Sequence, residues 1–408
     1  MPVMQVIRLS LLFVFASIAA AQSPAPPEPQ FWQMQDSGTT AGLRGIDSVD
    51  GAVAWASGTG GTVLKTIDGG MHWQKCAVPD GTTDGATLDF RGVQAWDADT
   101  AIVMASGPGE KSRLYKTTDG CRTWKLVFTN PDSPGGFWDA FVAHAKETGS
   151  GDACIAGSRV VTGTILGDPA VHKSNQWDTT KLLSFYLANF EVGITCPKDE
   201  LSPSESSIFA LPAEAAFAAS NSVLERLGPG SYWMAVGTRL IQLNVGLTVP
   251  SHFAAWSYCD ISIPFSQHSA SAGVFSFAIR PGSSEPPKAI KIGGFDWKTP
   301  SCLKADMVVV GGDYSAINDQ RDTSAFTGGT NKFQVAQTPP HGYRSSVQWS
   351  EILKLWITAG TNGSDVSRDD GKTWQPLDNG NWNALSLPFV VGPNGRIARL
   401  NPAAIPKP

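Results

Sequence analysis

Seven times along the chain one phrase recurs: an apolar run with a small residue near its start, then a Gly-rich turn, often followed by an Asp turn and a Trp. A unit of this kind cannot bury its apolar face alone. It must stack against its neighbours, so the chain has to fold as an array of similar units. The clearest Asp turns run from Thr66 to Trp73, Thr117 to Trp124 and Ser367 to Trp374, each reading (S/T)-x-D-x-(G/C)-x-x-W.

The residue types explain the turn. Asp and Ser/Thr hydrogen-bond the backbone of their own reversal, and Gly supplies the positive φ that a tight turn needs. The Trp opens the outgoing strand and buries a large flat surface against the next unit. Asp68, Asp119 and Asp369 are therefore turn-makers, and Trp73, Trp124 and Trp374 packing residues, rather than catalytic or metal-binding groups.

Inner strands are expected to begin at Leu43, Phe90, Trp138, Ala213, Ser271, Tyr343 and Trp382, with Gly45, Gly92, Ala140, Ala215, Gly273, Ser345 and Ala384 in third place. A small residue at one fixed point suits a crowded axis where several backbones converge. The turns that follow are Gly58 to Gly61, Gly107 to Gly109, Gly163 to Gly167, Gly237-Thr238, Gly311 to Asp313, Gly360 to Gly363 and Gly392 to Gly395. Roughly 50 to 55 residues per unit is a little longer than common propeller repeats. The excess is expected in loops at 197–207, 281–288 and 315–332.

The last unit stops without an Asp turn or Trp strand, whereas Phe31 to Gln35 is a Trp strand with nothing before it. Each end lacks what the other has. The expected fold is an all-β, seven-bladed β-propeller over 31–402, in which the N-terminal strand completes the last blade and removes exposed sheet edges. Residues 403–408 form a tail.

Arg8 precedes the apolar run Leu9 to Ala21, too short for a bilayer span, and Ala19-Ala20-Ala21 offers a small-residue cleavage site. Residues 1–21 read as a signal peptide and 22–30 as a Pro-rich spacer. The mature chain is expected to be exported, periplasmic or secreted, and not membrane-spanning. Its six cysteines fit three disulfides in an oxidising compartment. Sequential pairing would join Cys76 to Cys121, Cys154 to Cys196 and Cys259 to Cys302. No spacing suits zinc, so neither a metal nor another cofactor is expected. A net charge of -5 argues against nucleic acid, which demands a basic stripe.

The phrases Arg44-Gly45-Ile46, Leu64 to Gly70, Leu166-Gly167-Asp168-Pro169, Phe217 to Ser222, Gly311 to Tyr314, Gly342 to Ser345 and Val391 to Ala398 resemble those of exported bacterial propellers related to the photosystem II stability and assembly factors. The resemblance covers nearly the whole mature chain. It implies a seven-bladed member of the Asp-box (BNR) superfamily, whose photosynthetic members are assembly chaperones for membrane-protein subunits without known catalysis. Departures are a missing Asp turn in units three to five, where Lys173 to Trp177 and Asn331 to Phe333 are relics at most, and Cys121 in place of the turn Gly.

The position before each small residue reads Arg44, Arg91, Asp139, Glu214, Ala272, Arg344 and Asn383 around the ring. Inner strands line the axial channel, so Arg44, Arg91, Asp139, Glu214, Arg344 and Asn383 are the candidate ligand- or partner-binding residues. The structural alternative is a ring of ion pairs among the three Arg, Asp139 and Glu214. The reading is an exported, non-catalytic protein-binding scaffold with a partner among envelope or membrane-protein subunits. The alternative is a glycan-binding protein or a glycoside hydrolase of sialidase or xyloglucanase type, which needs two carboxylates about 5 to 10 Å apart.

Overall fold

The computed structural model describes residues 30–79, 84–130, 137–147, 159–173, 181–193, 199–200, 206–211, 214–228, 231–245, 256–283, 289–292, 295–298 and 304–405. Among these, regular structure is almost wholly antiparallel strand, with three short 3-10 turns. Six four-stranded sheets span residues 43–75, 90–129, 224–262, 272–335, 346–378 and 384–400 with 32–35. A five-stranded sheet is built from strands between 138 and 209, and Ala289–Ile292 pairs antiparallel with Phe295–Lys298 as a separate two-stranded sheet. No described helix is long and apolar enough to cross a membrane. The expected signal peptide and the pairings of Cys154, Cys196 and Cys302 lie outside the described residues.

Each sheet buries both faces against its neighbours, and the apolar clusters trace a closed circuit. Trp55, Val63 and Phe90, Val103 join the first two sheets, and Ile102, Leu114 with Phe141, Ile165 join the second to the five-stranded one. One large cluster continues through Leu166, Trp233 and Phe277. Val310 with Trp356, then Ile357 with Val390, carry it onward. Finally Leu43, Ala56 and Leu64 pack on Phe389 and Ile397, so the last sheet meets the first. Fully burying one such side chain contributes about 1.5–3 kcal/mol. Because that gain is shared across every interface, no sheet is stable apart from its neighbours.

Closure at the chain ends follows the expected pairing. Trp32–Gln35 runs antiparallel to Ile397–Leu400, with Trp32 opposite Leu400 and Gln35 opposite Ile397. Trp32 is buried, 6.0 Å from the Trp382 ring, and its Nε1 donates to Ser364 Oγ at 2.9 Å. The three Asp-turn tryptophans do the same to the sheet before them. Trp73 donates to Gln35 Oε1, Trp124 to the Ala77 carbonyl and Trp374 to Ser324 Oγ. Trp32 thus does for the last sheet what those residues do for theirs.

The Asp turns share one hydrogen-bond scheme. Thr66, Thr117 and Ser367 donate to Asp68, Asp119 and Asp369, while the N–H groups of Gly70, Cys121 and Gly371 donate back to the same three hydroxyls. The hydrogen bond from the His72 N–H, foremost, holds Asp68 down to about 2. Cys121 has φ 67, the left-handed conformation that Gly70 (φ 86) and Gly371 (φ 83) adopt in the sister turns. A side chain there is unfavourable on its own. Cys121 is bonded to Cys76, as expected, across a Cα separation of 5.3 Å, and Cys259 is also disulfide-bonded.

Two expectations fail locally. Gly163 to Gly167 is no turn but lies inside the long strand Arg159–Lys173. The inner strand expected from Ala213 begins instead at Leu224, and the stretch before it is irregular. Its run Ala213-Glu214-Ala215-Ala216 has none of the β-branched bulk that favours a pleated strand.

In four sheets the glycine near the end of the second strand, Gly58, Gly311, Gly360 or Gly392, is fixed by close approach rather than by φ. A Cβ on Gly360 would overlap the Tyr343 carbonyl oxygen, and one on Gly392 the Asn381 carbonyl oxygen. Their own carbonyls accept from the next sheet: Gly360 from Trp382 N at 3.1 Å, Gly392 from Leu43 N at 3.0 Å.

Two outcomes are expected in thermal melts of the mature chain. Trp32→Ala should cost about 3–5 kcal/mol, as large buried aromatics do, and truncation before Gln35 should lower Tm as sharply. Gly360→Ala should cost about 1–3 kcal/mol by overpacking; a wild-type Tm for either class would mean that the ring closes some other way.

Candidate functional site

Near the axis the inner strands carry a recurrent irregularity. The register slips by one residue between Leu43 and Gly45, Phe90 and Gly92, Trp138 and Ala140, and Val274 and Ser276. The residues left unpaired are Arg44, Arg91, Asp139 and Phe275. A bulge re-aims its extra side chain out of the alternating pattern. All four line one cavity of about 590 Å³, together with Ser345, Asn383 and the irregular segment Ala215 to Ala219. That volume suits a small ligand or a protruding side chain.

The same geometry explains which expected residues are absent from the wall. A Cβ on Gly58 would contact Leu43 Cα, one on Gly311 would contact Val274 Cα, and one on Gly360 would contact Arg344 Cα. Arg344 therefore matches Leu43, and Ser345 takes the place of Arg44. Since alternate residues face opposite ways, a one-residue offset sends the side chain inward. Arg344 is fully enclosed, donating from Nε to Asp365 Oδ2 at 2.6 Å and from Nη1 to the Tyr343 carbonyl at 2.7 Å. His341 Nδ1 lies 2.7 Å from the other Asp365 oxygen. Likewise Phe275, not Ala272, occupies the wall in its sheet.

Glu214 is also withdrawn. It is 6% exposed and held by the Nε–Nη2 edge of Arg239, with Nε donating to Oε1 at 2.7 Å and Nη2 to Oε2, while Arg239 Nη1 reaches Asp260 at 2.6 Å. The expected ring of ion pairs is accordingly replaced by separate local pairs. Arg44 and Arg91 share Asp89, at 3.1 and 2.9 Å. Asn383 lines the cavity and donates to the Leu43 carbonyl at 2.7 Å.

Asp139 has the least expected environment. It is 3% exposed, and its carboxyl lies in hydrogen-bonding contact with that of Asp168, also on the cavity wall. Burial, then the neighbouring Asp168 charge, pushes Asp139 well above the usual carboxylate range, with Arg91 opposing the rise. Burial raises Asp168 as well. Carboxyl groups held this close lack the separation of about 5 Å or more that glycoside hydrolysis requires. Sequence reading had no signal for this contact, because Asp168 is brought in by the second strand of its sheet.

Aromatic rings complete the wall. Phe217 and Phe275 stack with centroids 4.0 Å apart, and Tyr343 and Tyr314 meet Phe275 edge-on at 4.9 and 6.0 Å. Phe137 lies under Arg91.

A closed circuit of antiparallel sheets around an axial cavity defines a β-propeller. No protein-family model and no curated protein matches the chain. Solved structures that resemble it include two of YCF48. YCF48 bound to a D1 peptide is 15% identical with a TM-score of 0.50, over 91% of this chain and 97% of that one. YCF48 from Cyanidioschyzon merolae is 16% identical with a TM-score of 0.51, over 91% and 99%. At such identities the likeness is one of fold.

Buried acids with raised native pKa values bind protons more tightly folded than unfolded, so stability falls as pH rises through the native value. Burial brings Asp47 up to about 6 and Glu225 up to about 7, and Asp139 adds to the same trend. Tm should therefore decline between about pH 4 and pH 7, from the ordinary carboxylate range up to these native values. The Tm advantage of Asp139→Asn over wild type should grow across that window; a constant difference would show that Asp139 titrates normally. Arg344→Gln should cost about 3–5 kcal/mol by stranding Asp365, readable by urea unfolding.

Proposed function

We propose that the chain is an exported, non-catalytic propeller whose axial cavity docks a segment of a partner protein. The observation that carries this reading is the convergence of the bulged side chains Arg44, Arg91, Asp139 and Phe275 on one cavity. Bulges persist where a side chain has to be re-aimed, and four sheets re-aim theirs to the same place. We count the five-stranded sheet as the seventh blade, which with the six four-stranded sheets makes a ring of seven. The three Asp turns, with their shared hydrogen bonds, read as Asp-box hairpins.

Support for a protein partner comes from the fold. A propeller of the same architecture, YCF48, has been solved with a peptide of D1 bound. Support for export comes from the Cys76–Cys121 disulfide, since such bonds persist in oxidising compartments.

Arg44 and Arg91 carry two positive charges against the one of Asp89 and are only partly buried, so an acidic group of the partner is favoured beside them. The sequence alone would have selected Arg344 for this role. Its enclosure with Asp365 moves the choice to Arg91.

The test is capture of envelope proteins from the exporting cell on immobilised mature chain, wild type against Arg44→Gln/Arg91→Gln. Gln keeps hydrogen bonding while removing charge. The double variant should retain its Tm within a few degrees and recover at least tenfold less of any specifically bound partner. Equal recovery would place docking on the blade sides or outer loops.

A further inference from the structure

A second cavity, of about 460 Å³, opens at the seam where the N-terminal strand closes the ring. Strand alternation assembles one wall. Trp32 and Met34 share a face of their strand, opposite Leu400 and Ala398, and Arg396 extends that face by two residues. The facing sheet contributes Leu377 and Asp378, and the connection to the last sheet contributes Gly380 and Trp382. Trp32, Leu377 and Trp382 form an apolar floor with Phe31 packed against them, while Met34 stands half exposed at the rim.

One charged group in this cavity lacks a counterpart. Arg396 lies over the Trp382 ring, 4.5 Å from its centroid. Its Nε is enclosed without a hydrogen-bond partner. The two terminal nitrogens are not enclosed, and among the described residues they make neither a hydrogen bond nor an ion pair. Asp378, the acidic group on the same wall, is already engaged: it accepts from Ser364 Oγ, and from Gly380 N and Trp382 Nε1 at 3.0 Å each. Arg399, on the same strand, is by contrast committed to the carbonyls of Gly51 and Gly69 at 2.7 and 3.0 Å.

Stacking on an indole steadies a guanidinium plane while leaving its N–H edge free, and that fork matches a carboxylate bidentately. Asp378 on the same wall disfavours an anion of higher charge. We propose that the seam is a binding site for a small organic monocarboxylate with an apolar body. Its carboxylate pairs with the terminal nitrogens of Arg396, and its hydrocarbon lies along Phe31, Met34 and Trp382. The volume falls in the range of small-molecule sites. This site stands apart from the axial cavity and does not rest on the docking reading. Because its walls belong to both sides of the closure, an occupant ties Phe31 and Met34 to Leu377 and stabilises the closed ring.

The experiment is calorimetric titration of the mature wild-type chain at pH 7 with octanoate, compared with 1-octanol, octylammonium and acetate, together with thermal melts in octanoate. Saturable one-to-one binding of octanoate and a raised Tm are expected. The other three compounds should bind at least tenfold more weakly, since each lacks either the negative charge or the apolar body. Arg396→Gln should lower octanoate affinity at least tenfold, to the level of 1-octanol. It should melt within a few degrees of wild type, because the Arg396 side chain holds no hydrogen bond. If that variant does not fold, Met34→Glu decides: a negative charge at the half-exposed rim should lower octanoate affinity at least threefold. Arg44→Gln/Arg91→Gln should bind octanoate as wild type does. Absence of saturable octanoate binding, or 1-octanol or octylammonium binding as tightly as octanoate, would overturn the proposal. So would binding that is lost in Arg44→Gln/Arg91→Gln and kept in Arg396→Gln or Met34→Glu.

Discussion

Everything in this ring hangs on the close contact between the end of each second strand and the start of its own inner strand. Where a glycine sits at that point, as at Gly58, Gly311, Gly360 and Gly392, the backbones touch with no room for a Cβ. In most of these sheets its carbonyl then takes the first N–H of the next sheet, as Gly311 does from Arg344 and Gly392 from Leu43. One residue therefore ties two strands of its own sheet together and the sheet to its neighbour. Apolar clusters supply most of the burial energy, but these contacts set the spacing at the axis.

Spacing at the axis in turn dictates the bulges. At this joint the inner strands of four sheets carry one residue more than the partner strand matches, beside Gly58, Ala105, Gly167 and Gly311, and that residue is turned into the axial space. The side chains there are Arg44, Arg91, Asp139, Phe275, Ser345 and Asn383. Their diversity contrasts with the sameness of the glycines beside them. A structural joint repeated around the ring thus holds a set of unrelated side chains at one place, the arrangement a binding cavity requires.

Charge within the cavity is clustered on one side of the ring: Arg44 and Arg91 hold Asp89 between them, and Asp139, beside Asp168, lies close enough to Arg91 for its charge to be felt. Charged groups that would be costly to bury alone, Arg344 and Glu214, are instead paired with Asp365 and Arg239 away from the wall. Separating structural pairs from cavity-lining pairs follows from burial: an enclosed charge keeps a dedicated partner, whereas one facing a cavity can leave an atom for a ligand.

Much of this was legible in the chain itself. The Asp-turn phrase determined the three hairpins at Asp68, Asp119 and Asp369 because their hydrogen bonds are local, reaching only a few residues. The unmatched Trp strand at the N-terminus determined closure, since a strand with one apolar Trp must find a sheet edge. Of the candidate residues, Arg44, Arg91, Asp139 and Asn383 reach the cavity wall as expected. What the chain could not reveal was register. Aligning on the nearest small residue chose Arg344 and Ala272, whereas the backbone contact with Gly360 and Gly311 places Ser345 and Phe275 on the wall. In Glu214 to Ala216 the repeat was followed where no strand forms. Nor could sequence join Asp139 to Asp168, Arg344 to Asp365, or Arg44 and Arg91 to one Asp89. Those partners are set by which strands lie side by side and which residue bulges, and only the tertiary structure decides that.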